Sequence, residues 1–261
     1  MGSAAITSPS NARIRRLAAL RDRKERDRES VFVVEGVRDV DRAVGAGLRP
    51  LEVYYDPGVF PGPPASSDFE TAVSTAALDR ASYRSRSLGV IAVFAQFDVT
   101  LDHLTLSAEP LILIAEAIEK PGNLGALLRT ADAVGADALI AADPGADPFS
   151  PNVIRASTGA IFSVPLALGN LKTVIYWLQE RAVRVVAADP GTGADLWSTD
   201  LTGPCALLVG SEHRGLSKPA IEAAEVTVAI PMHGQTDSLN VSVSMAILAY
   251  EAVRQRSNPD S

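Results

Sequence analysis

Arg129 stands in an otherwise uncharged run, Asn123-Leu124-Gly125-Ala126-Leu127-Leu128-Arg129-Thr130-Ala131. A guanidinium among apolar neighbours is costly to bury unless an anion or an acid meets it. The residue therefore marks a place where phosphate or carboxylate chemistry is expected. The run follows Pro121-Gly122-Asn123, a turn signal, and before that the apolar stretch Leu111-Ile112-Leu113-Ile114-Ala115 and Glu116. A strand that turns into a helix presents polar groups at the carboxyl end of a sheet, where open α/β sheets bind their ligands.

Two later segments repeat this pattern. Leu207-Leu208-Val209-Gly210-Ser211-Glu212-His213-Arg214-Gly215-Leu216 reads as a buried strand ending at a glycine, then a polar turn that brings Glu212 to the strand end. Glycine there permits close approach of a ligand to the backbone. Ile230-Pro231-Met232-His233-Gly234-Gln235-Thr236-Asp237-Ser238-Leu239-Asn240 leads into an apolar helix, with Ser238 as the expected N-cap and Asn240 in the first turn. Outward-facing N–H groups at such a helix start favour an anion. Each segment also has an ordinary reading, as a turn, a cap or a strand terminus. Three of them at successive strand-to-helix transitions make a stronger case for a site. Gly191-Thr192-Gly193 is a weak dinucleotide signal, because Leu196 stands where the third glycine belongs and no good helix follows.

The elements that must hold these segments alternate along the chain. Apolar runs at 111–115, 138–142, 161–166, 183–188, 205–209 and 226–230 read as strands, and 123–134, 151–158, 171–182, 217–224 and 239–255 as helices. Strands separated by helices imply a mainly parallel sheet covered on both faces. The first part of the chain reads as a smaller α/β unit. It has a helix over 10–28, strands at 31–34, 51–55 and 90–94, a helix over 36–44 stopped by glycine, a loop at 56–67, and a weaker helix near 70–80. The expected division is 1–97 as one domain, 98–109 as linker and 110–261 as the second domain.

Composition bounds the function. With 47% apolar residues in 261, a sizeable core can form. One cysteine excludes an internal disulfide, and the three histidines His103, His213 and His233 lack metal-ligand spacing, so no metal is expected. No apolar stretch approaches the roughly 20 residues that span a bilayer, and no signal-peptide core is recognisable, so the expected setting is the cytoplasm, with no membrane partner. The net charge of −7 argues against a protein that coats nucleic acid generally. Its distribution is uneven: residues 1–106 hold 14 basic and 14 acidic groups, leaving 10 − 17 = −7 for the rest. Within 11–30, Arg15, Arg16 and Lys24 belong to a local basic excess that can meet RNA phosphates. A solvated helix face with internal ion pairs would have the same composition.

Taken together the segments resemble the SpoU (TrmH-like) branch of the SPOUT RNA methyltransferases. The first motif is carried by Asn123, Gly125, Arg129, Thr130 and Ala131. The second is carried by Gly210, Glu212, Gly215 and Leu216, and the third by Ile230-Pro231-Met232 with Ser238-Leu239-Asn240-Val241-Ser242. Arg155-Ala156-Ser157-Thr158-Gly159-Ala160 also fits. Ser8-Pro9-Ser10-Asn11, Phe32-Val33-Val34-Glu35-Gly36 and Leu88-Gly89-Val90-Ile91-Ala92 resemble the family's small substrate-binding domain. One position departs from the pattern: the family often has an aspartate before the proline of the first motif, and here it is Lys120.

The resemblance implies a C-terminal α/β domain with a mainly parallel sheet, helices on both faces and a deep trefoil knot, and a small N-terminal L30e-like α/β substrate-binding domain. It implies S-adenosylmethionine as cofactor, held at Gly210, Ile230, Met232 and Leu239, and methyl transfer to a ribose 2′-hydroxyl of RNA, with 23S ribosomal RNA as the expected substrate. Arg129 would be catalytic, with Asn123, Ser238, Asn240 and Glu212 supporting it. Whether Arg129 takes the hydroxyl proton or only positions the adjacent phosphate is left open by the residues. A homodimer is implied as well, and the apolar helix Val241–Arg254 is compatible with one. The alternatives are a tRNA 2′-O-methyltransferase and a non-catalytic RNA-binding factor on the same fold. The weak Gly191–Gly193 signal leaves a dinucleotide-dependent oxidoreductase as a third.

Overall fold

The computed structural model describes residues 5–191, 194–212, 214–236 and 238–257. Thr192, Gly193, His213 and Asp237 of the segments above lie outside these. The backbone divides into two compact units. The first comprises residues 1–97 with 147–162, and the second 98–146 with 163–261.

In the first unit the expected helix over 10–28 is two helices, α1 (Ala12–Ala19) and α2 (Arg23–Glu29). The chain breaks at Leu20–Asp22 because Asp22 takes an extended conformation and caps α2, its carboxylate accepting from Lys24 N at 3.0 Å. There follow β1 (Val31–Glu35), α3 (Val37–Gly45), β2 (Pro50–Tyr55), β3 (Phe69–Ala72), α4 (Thr75–Ala81) and β4 (Val90–Ala95). The segment expected as one helix near 70–80 is a strand and a short helix. Phe69–Ala72 pairs parallel to β2, and Ser74 caps α4 only afterwards. The sheet order is β1-β4-β2-β3.

Val31-Phe32-Val33-Val34 is continuously apolar because both of its faces are covered. Val31 and Val33 pack with Ile14, Leu17 and Leu78 from α1 and α4. Phe32, pointing the other way, stacks with Phe94, Phe149 and Phe162. Phe149 and Phe162 bracket α6 (Pro151–Ser157), and residues 147–162 belong to this unit. Asp147 helps to anchor them through an ion pair with Arg26, a side chain only 2% exposed.

The second unit contains β5 (Leu111–Glu116), α5 (Pro121–Val134), β6 (Ala138–Ala142), β7 (Leu166–Gly169), α7 (Leu171–Gln179), β8 (Arg184–Ala188), β9 (Ala194–Asp195), β10 (Cys205–Val209), α8 (Lys218–Ala223), β11 (Val226–Ala229) and α9 (Val241–Ser257). Residues 98–109 are counted in this unit, with Leu101 buried in its core. A strand expected at 161–166 begins instead at Leu166. Ala160–Phe162 is a single 3-10 turn that carries Phe162 to the ring cluster of the first unit.

All the strand pairings of this sheet are parallel, in the order β7-β6-β5-β10-β8-β11-β9. Ile112, Ile114, Ala206 and Leu208 face α7 and α8 in one core layer. Alternation turns Leu113 and Leu207 to the opposite face, where α9 lies on β10 and packs against α5. The strand order reverses between β5 and β10, so the loops leaving Glu116 and Val209 open at the switch point, where open parallel sheets place their ligands.

Candidate active site

Three chain segments of the second unit return to the carboxyl end of the sheet. The first is the turn after β10. Ser211 and Gly215 close it with paired backbone bonds, Ser211 N to Gly215 O at 3.1 Å and Gly215 N to Ser211 O at 3.0 Å. Gly210 is required here by space: a Cβ would lie 2.1 Å from the Gly215 carbonyl carbon and 2.3 Å from Leu216 N. The second segment, Ile230 to Thr236, leaves β11 in irregular conformation, and the third, Ser238 to Asn240, enters α9.

These segments enclose a cavity of about 220 Å³ lined by Gly210, Ile230, Met232, Ser238 and Leu239, with Val209 and Val228 below them. All four residues expected around a cofactor therefore border one space. The backbone groups of Ile230, Met232 and Leu239 enter no backbone hydrogen bond among the described residues, and such groups seek partners. Apolar walls with main-chain donors and acceptors that enter no backbone hydrogen bond among the described residues suit a flat heteroaromatic group such as adenine. The residues present thus fit S-adenosylmethionine. Asp189 and Ser244 also line the cavity and were not singled out in the sequence. Asp189 had a signal, an acid just beyond a strand of a parallel sheet.

A smaller cavity of about 140 Å³ adjoins, and Ser211 and Glu212 line both. It is bordered by Lys120, Asn123 and Arg214. Here the polar residues are connected. Glu212 receives Lys120 Nζ on Oε2 and Asn240 Nδ2 on Oε1. Asn240 Nδ2 also lies 3.3 Å from Asn123 Oδ1. The Asn240 side-chain oxygen accepts from Ser242 N at 3.0 Å and Ser242 Oγ at 2.6 Å, and its carbonyl accepts from Val243 N and Ser244 N. Asn240, and not Ser238, is therefore the N-cap of α9; the helix begins at Val241 because the asparagine side chain reaches Ser242 N. Ser238 stands exposed at the cavity edge. Glu116, buried at the end of β5, accepts from Ser217 N at 2.9 Å and ties the two switch-point loops together.

Arg129 is placed differently from the expectation of a guanidinium among apolar neighbours. It projects from the exposed face of α5, while Leu124, Leu127, Leu128 and Ala131 are buried. It lines neither cavity, and no hydrogen bond or ion pair engages it among the described residues. No bond joins it to Asn123, Ser238 or Asn240.

In the first unit, Arg15 and Lys24 are exposed, whereas Arg16 is engaged by Glu29 at 2.6 Å and Glu52 at 2.9 Å. Burial lowers the Arg16 pKa, but the Glu29 hydrogen bond and the two carboxylate charges outweigh it and the net shift is upward. Arg16 is thus held within the protein, whereas Arg15 and Lys24 stand exposed.

Residues 110–250 match the SpoU rRNA methylase family, and residues 11–92 match the MRM3-like substrate-binding domain. The chain belongs to the SpoU rRNA methylase family. Among its relatives is the 23S rRNA (uridine(2479)-2′-O)-methyltransferase of Streptomyces viridochromogenes, 33% identical over 94% of this chain and 91% of that protein. A crystal structure described as an RNA 2′-O ribose methyltransferase superposes with a TM-score of 0.84 at 42% identity, covering 96% of this chain and 98% of the other. The SpoU methyltransferase AviRb of Streptomyces viridochromogenes, solved with S-adenosylmethionine, superposes with a TM-score of 0.86 at 31% identity, covering 94% and 98%. The sheet and the small N-terminal unit are thus those of the SpoU methyltransferases, with S-adenosylmethionine as the family's methyl donor.

Proposed function

We propose that this protein transfers a methyl group from S-adenosylmethionine to a ribose 2′-hydroxyl of 23S ribosomal RNA. The observation that carries the reading is the convergence of Gly210, Ile230, Met232 and Leu239 on one cavity at the switch point of the sheet, beside the Glu212–Asn240–Asn123 cluster. The cofactor, when bound, supplies an electrophilic methyl group. Ile230, Met232 and Leu239 would hold its adenine through main-chain groups and apolar walls, and Gly210 lets the turn after β10 close over it. The polar cluster faces the acceptor side, where Asn123 and Asn240 offer amide groups to a ribose or phosphate.

Arg129 completes the site as a donor. A guanidinium has donors and no acceptor, so its role is to bind the phosphate beside the reacting ribose and to polarise the hydroxyl as charge develops on it. Its exposure on α5 supports a site assembled across a homodimer. Neighbouring α9 presents Val243 and Tyr250 at 46% and 54% exposure, apolar surface that a second copy would cover. The return of the chain to one place after β10, after β11 and before α9 supports the trefoil knot, an exception to the rule that chains do not thread themselves. RNA enters by way of Arg15 and Lys24 on the first unit. Action on ribosomal RNA sets the protein in the cytoplasm.

Mapping of 2′-O-methyl sites in ribosomal RNA from cells with and without the gene tests the reading. One 23S position should lose its methyl group in the deletion and regain it on complementation. An unchanged 23S map together with a lost tRNA methyl group would transfer the activity to tRNA.

A further inference from the structure

We infer that Tyr83 and Arg155, both on the first unit, clamp one unpaired nucleotide of the RNA, the ring stacking on its base and the guanidinium meeting its phosphate. This rests on the methyl-transfer reading above, which makes RNA the ligand.

Local sequence sets both residues in place. α4 stops at Ser82, which leaves helical conformation at φ −59°, ψ 141° and is fully buried. Glu35, at the end of β1, accepts from Ser82 Oγ at 2.9 Å and from Tyr83 N, so the chain leaving α4 is held against β1. The Tyr83 side chain is left 40% exposed. α6 is capped by Ser150, whose Oγ accepts from Val153 N at 3.3 Å. Val153, Ile154 and Ser157 are the buried residues of this helix, and Asn152 and Arg155, three apart, share its other face. Asn152 joins the pair: its Nδ2 donates to Tyr83 Oη at 2.8 Å, and its Oδ1 accepts from Arg155 Nη2 at 3.0 Å. One amide therefore sets the spacing of an aromatic ring and an exposed guanidinium.

The charge around them is uneven. Glu35, Asp39, Tyr83, Arg84 and Arg155 line a cleft of about 20 Å³, room for a water and not for a base, so a ligand of that size must sit on its rim. The two carboxylates lie deep, while Arg155 is exposed. Arg84 reaches Glu35 at 4.0 Å, and Arg38 and Arg42 reach Asp39 at 3.4 Å and 3.6 Å. Four arginines thus meet two carboxylates, and the cations remain in excess with the exposed Asp41 of α3 counted. A cationic rim with a partly exposed ring suits an unpaired nucleotide, which offers a π-face and a phosphate together. A paired base keeps its faces stacked within the duplex, and an acidic peptide would use the arginines alone.

The test compares Tyr83→Leu, Tyr83→Phe and Arg155→Gln with the wild type, with thermal unfolding as the control for folding. Fluorescence anisotropy over a salt series reads binding to a short single-stranded RNA of mixed sequence and to the same RNA annealed to its complement. Tyr83→Leu should weaken single-strand binding roughly five- to hundredfold, the worth of one base stacked on an aromatic ring, and should leave duplex binding and the salt slope unchanged. Tyr83→Phe keeps the ring and should retain most of the affinity. Arg155→Gln should lower the slope of log K against log salt by about 0.7, one single-strand phosphate contact. A Tyr83→Phe variant as weak as Tyr83→Leu would overturn the inference. Unchanged RNA binding by Tyr83→Leu and Arg155→Gln alike would also overturn it and give the rim to an acidic protein segment. Labelled methyl transfer to ribosomal RNA is measured in parallel; a wild type that binds single strands through Tyr83 yet transfers no methyl group would overturn the methyl-transfer reading and leave the clamp standing.

Discussion

Gly210→Ala is the most informative single change. The added Cβ would lie 2.1 Å from the Gly215 carbonyl carbon, 2.2 Å from its oxygen and 2.3 Å from Leu216 N. Ordinary carbon contacts lie at about 3.5–4.0 Å, so the backbone must separate by more than about 1 Å. These neighbours are main chain, and no side chain can rotate aside. The displacement must open the turn closed by the Ser211–Gly215 bonds or push β10 back into a buried sheet. Overpacking of this kind costs on the order of 1–3 kcal/mol. The turn borders the cavity, so a comparable loss should appear in cofactor binding, roughly a ten- to hundredfold increase in Kd at about 1.4 kcal/mol per decade. Isothermal titration with S-adenosylmethionine, alongside thermal unfolding, reads both quantities. Gly45→Ala is the control, since a Cβ there meets nothing within 4 Å. Gly210→Ala protein that binds the cofactor with wild-type affinity would refute the claim that this turn shapes the cofactor site.

Other changes separate RNA contact from internal support. Replacing Arg15 and Lys24 together by alanine should flatten the salt dependence of RNA binding by about 1.4 in log K against log salt, at ~0.7 per single-strand phosphate contact. Arg16→Ala should lower the unfolding temperature and leave that slope unchanged, because Arg16 is held by Glu29 and Glu52. Asp147→Ala leaves buried Arg26 without its carboxylate and should cost about 3 kcal/mol in urea denaturation; a loss under about 1 kcal/mol would be typical of an exposed pair and would contradict the buried-pair account. Acid sensitivity follows from two carboxylates held below their ordinary value of 4.5. For Glu29, burial raises the pKa, but the hydrogen bonds and charges of Arg16 and Arg28 outweigh it; for Glu251, the Arg254 hydrogen bond leads the downward shift. A depressed carboxylate contributes stability that is complete above its unfolded pKa and lost as pH falls through the folded value. Stability should therefore decline as pH drops below about 4.5, and Arg16→Ala should make that decline shallower; an unaltered acid limb would remove Glu29 from the account.

Much of the second unit was legible because parallel strands buried on both faces are written as unbroken apolar runs, as in Leu111–Ala115 and Cys205–Val209. The segments that border the cavity were legible from turn chemistry: a glycine after β10 and a Ser-Leu-Asn entry to α9. Less of the first unit could be read. Phe69–Ala72 is a strand only because β2 offers it a partner, and Ala160–Phe162 is drawn out of the expected strand by the ring of Phe32. Such tertiary partners override local pattern.

Within the site, residue type located the groups but not their company. Asn240 was visible, yet its capping of α9 depends on Ser242, and Lys120 was visible only as a departure from pattern. In the sequence, Arg129 stands among apolar residues. Helical periodicity instead buries Leu127, Leu128 and Ala131 and leaves the guanidinium outward.

The proposed activity is methylation of a ribose 2′-hydroxyl with Arg129 as the catalytic cation. It is tested by transfer of labelled methyl from S-adenosylmethionine to 23S ribosomal RNA, followed by nucleoside analysis, with the wild type and Arg129→Ala side by side. Label is expected in a single 2′-O-methylnucleoside for the wild type, and none for Arg129→Ala although that variant binds the cofactor normally. Label in a base-methylated nucleoside, or undiminished turnover by Arg129→Ala, would contradict it.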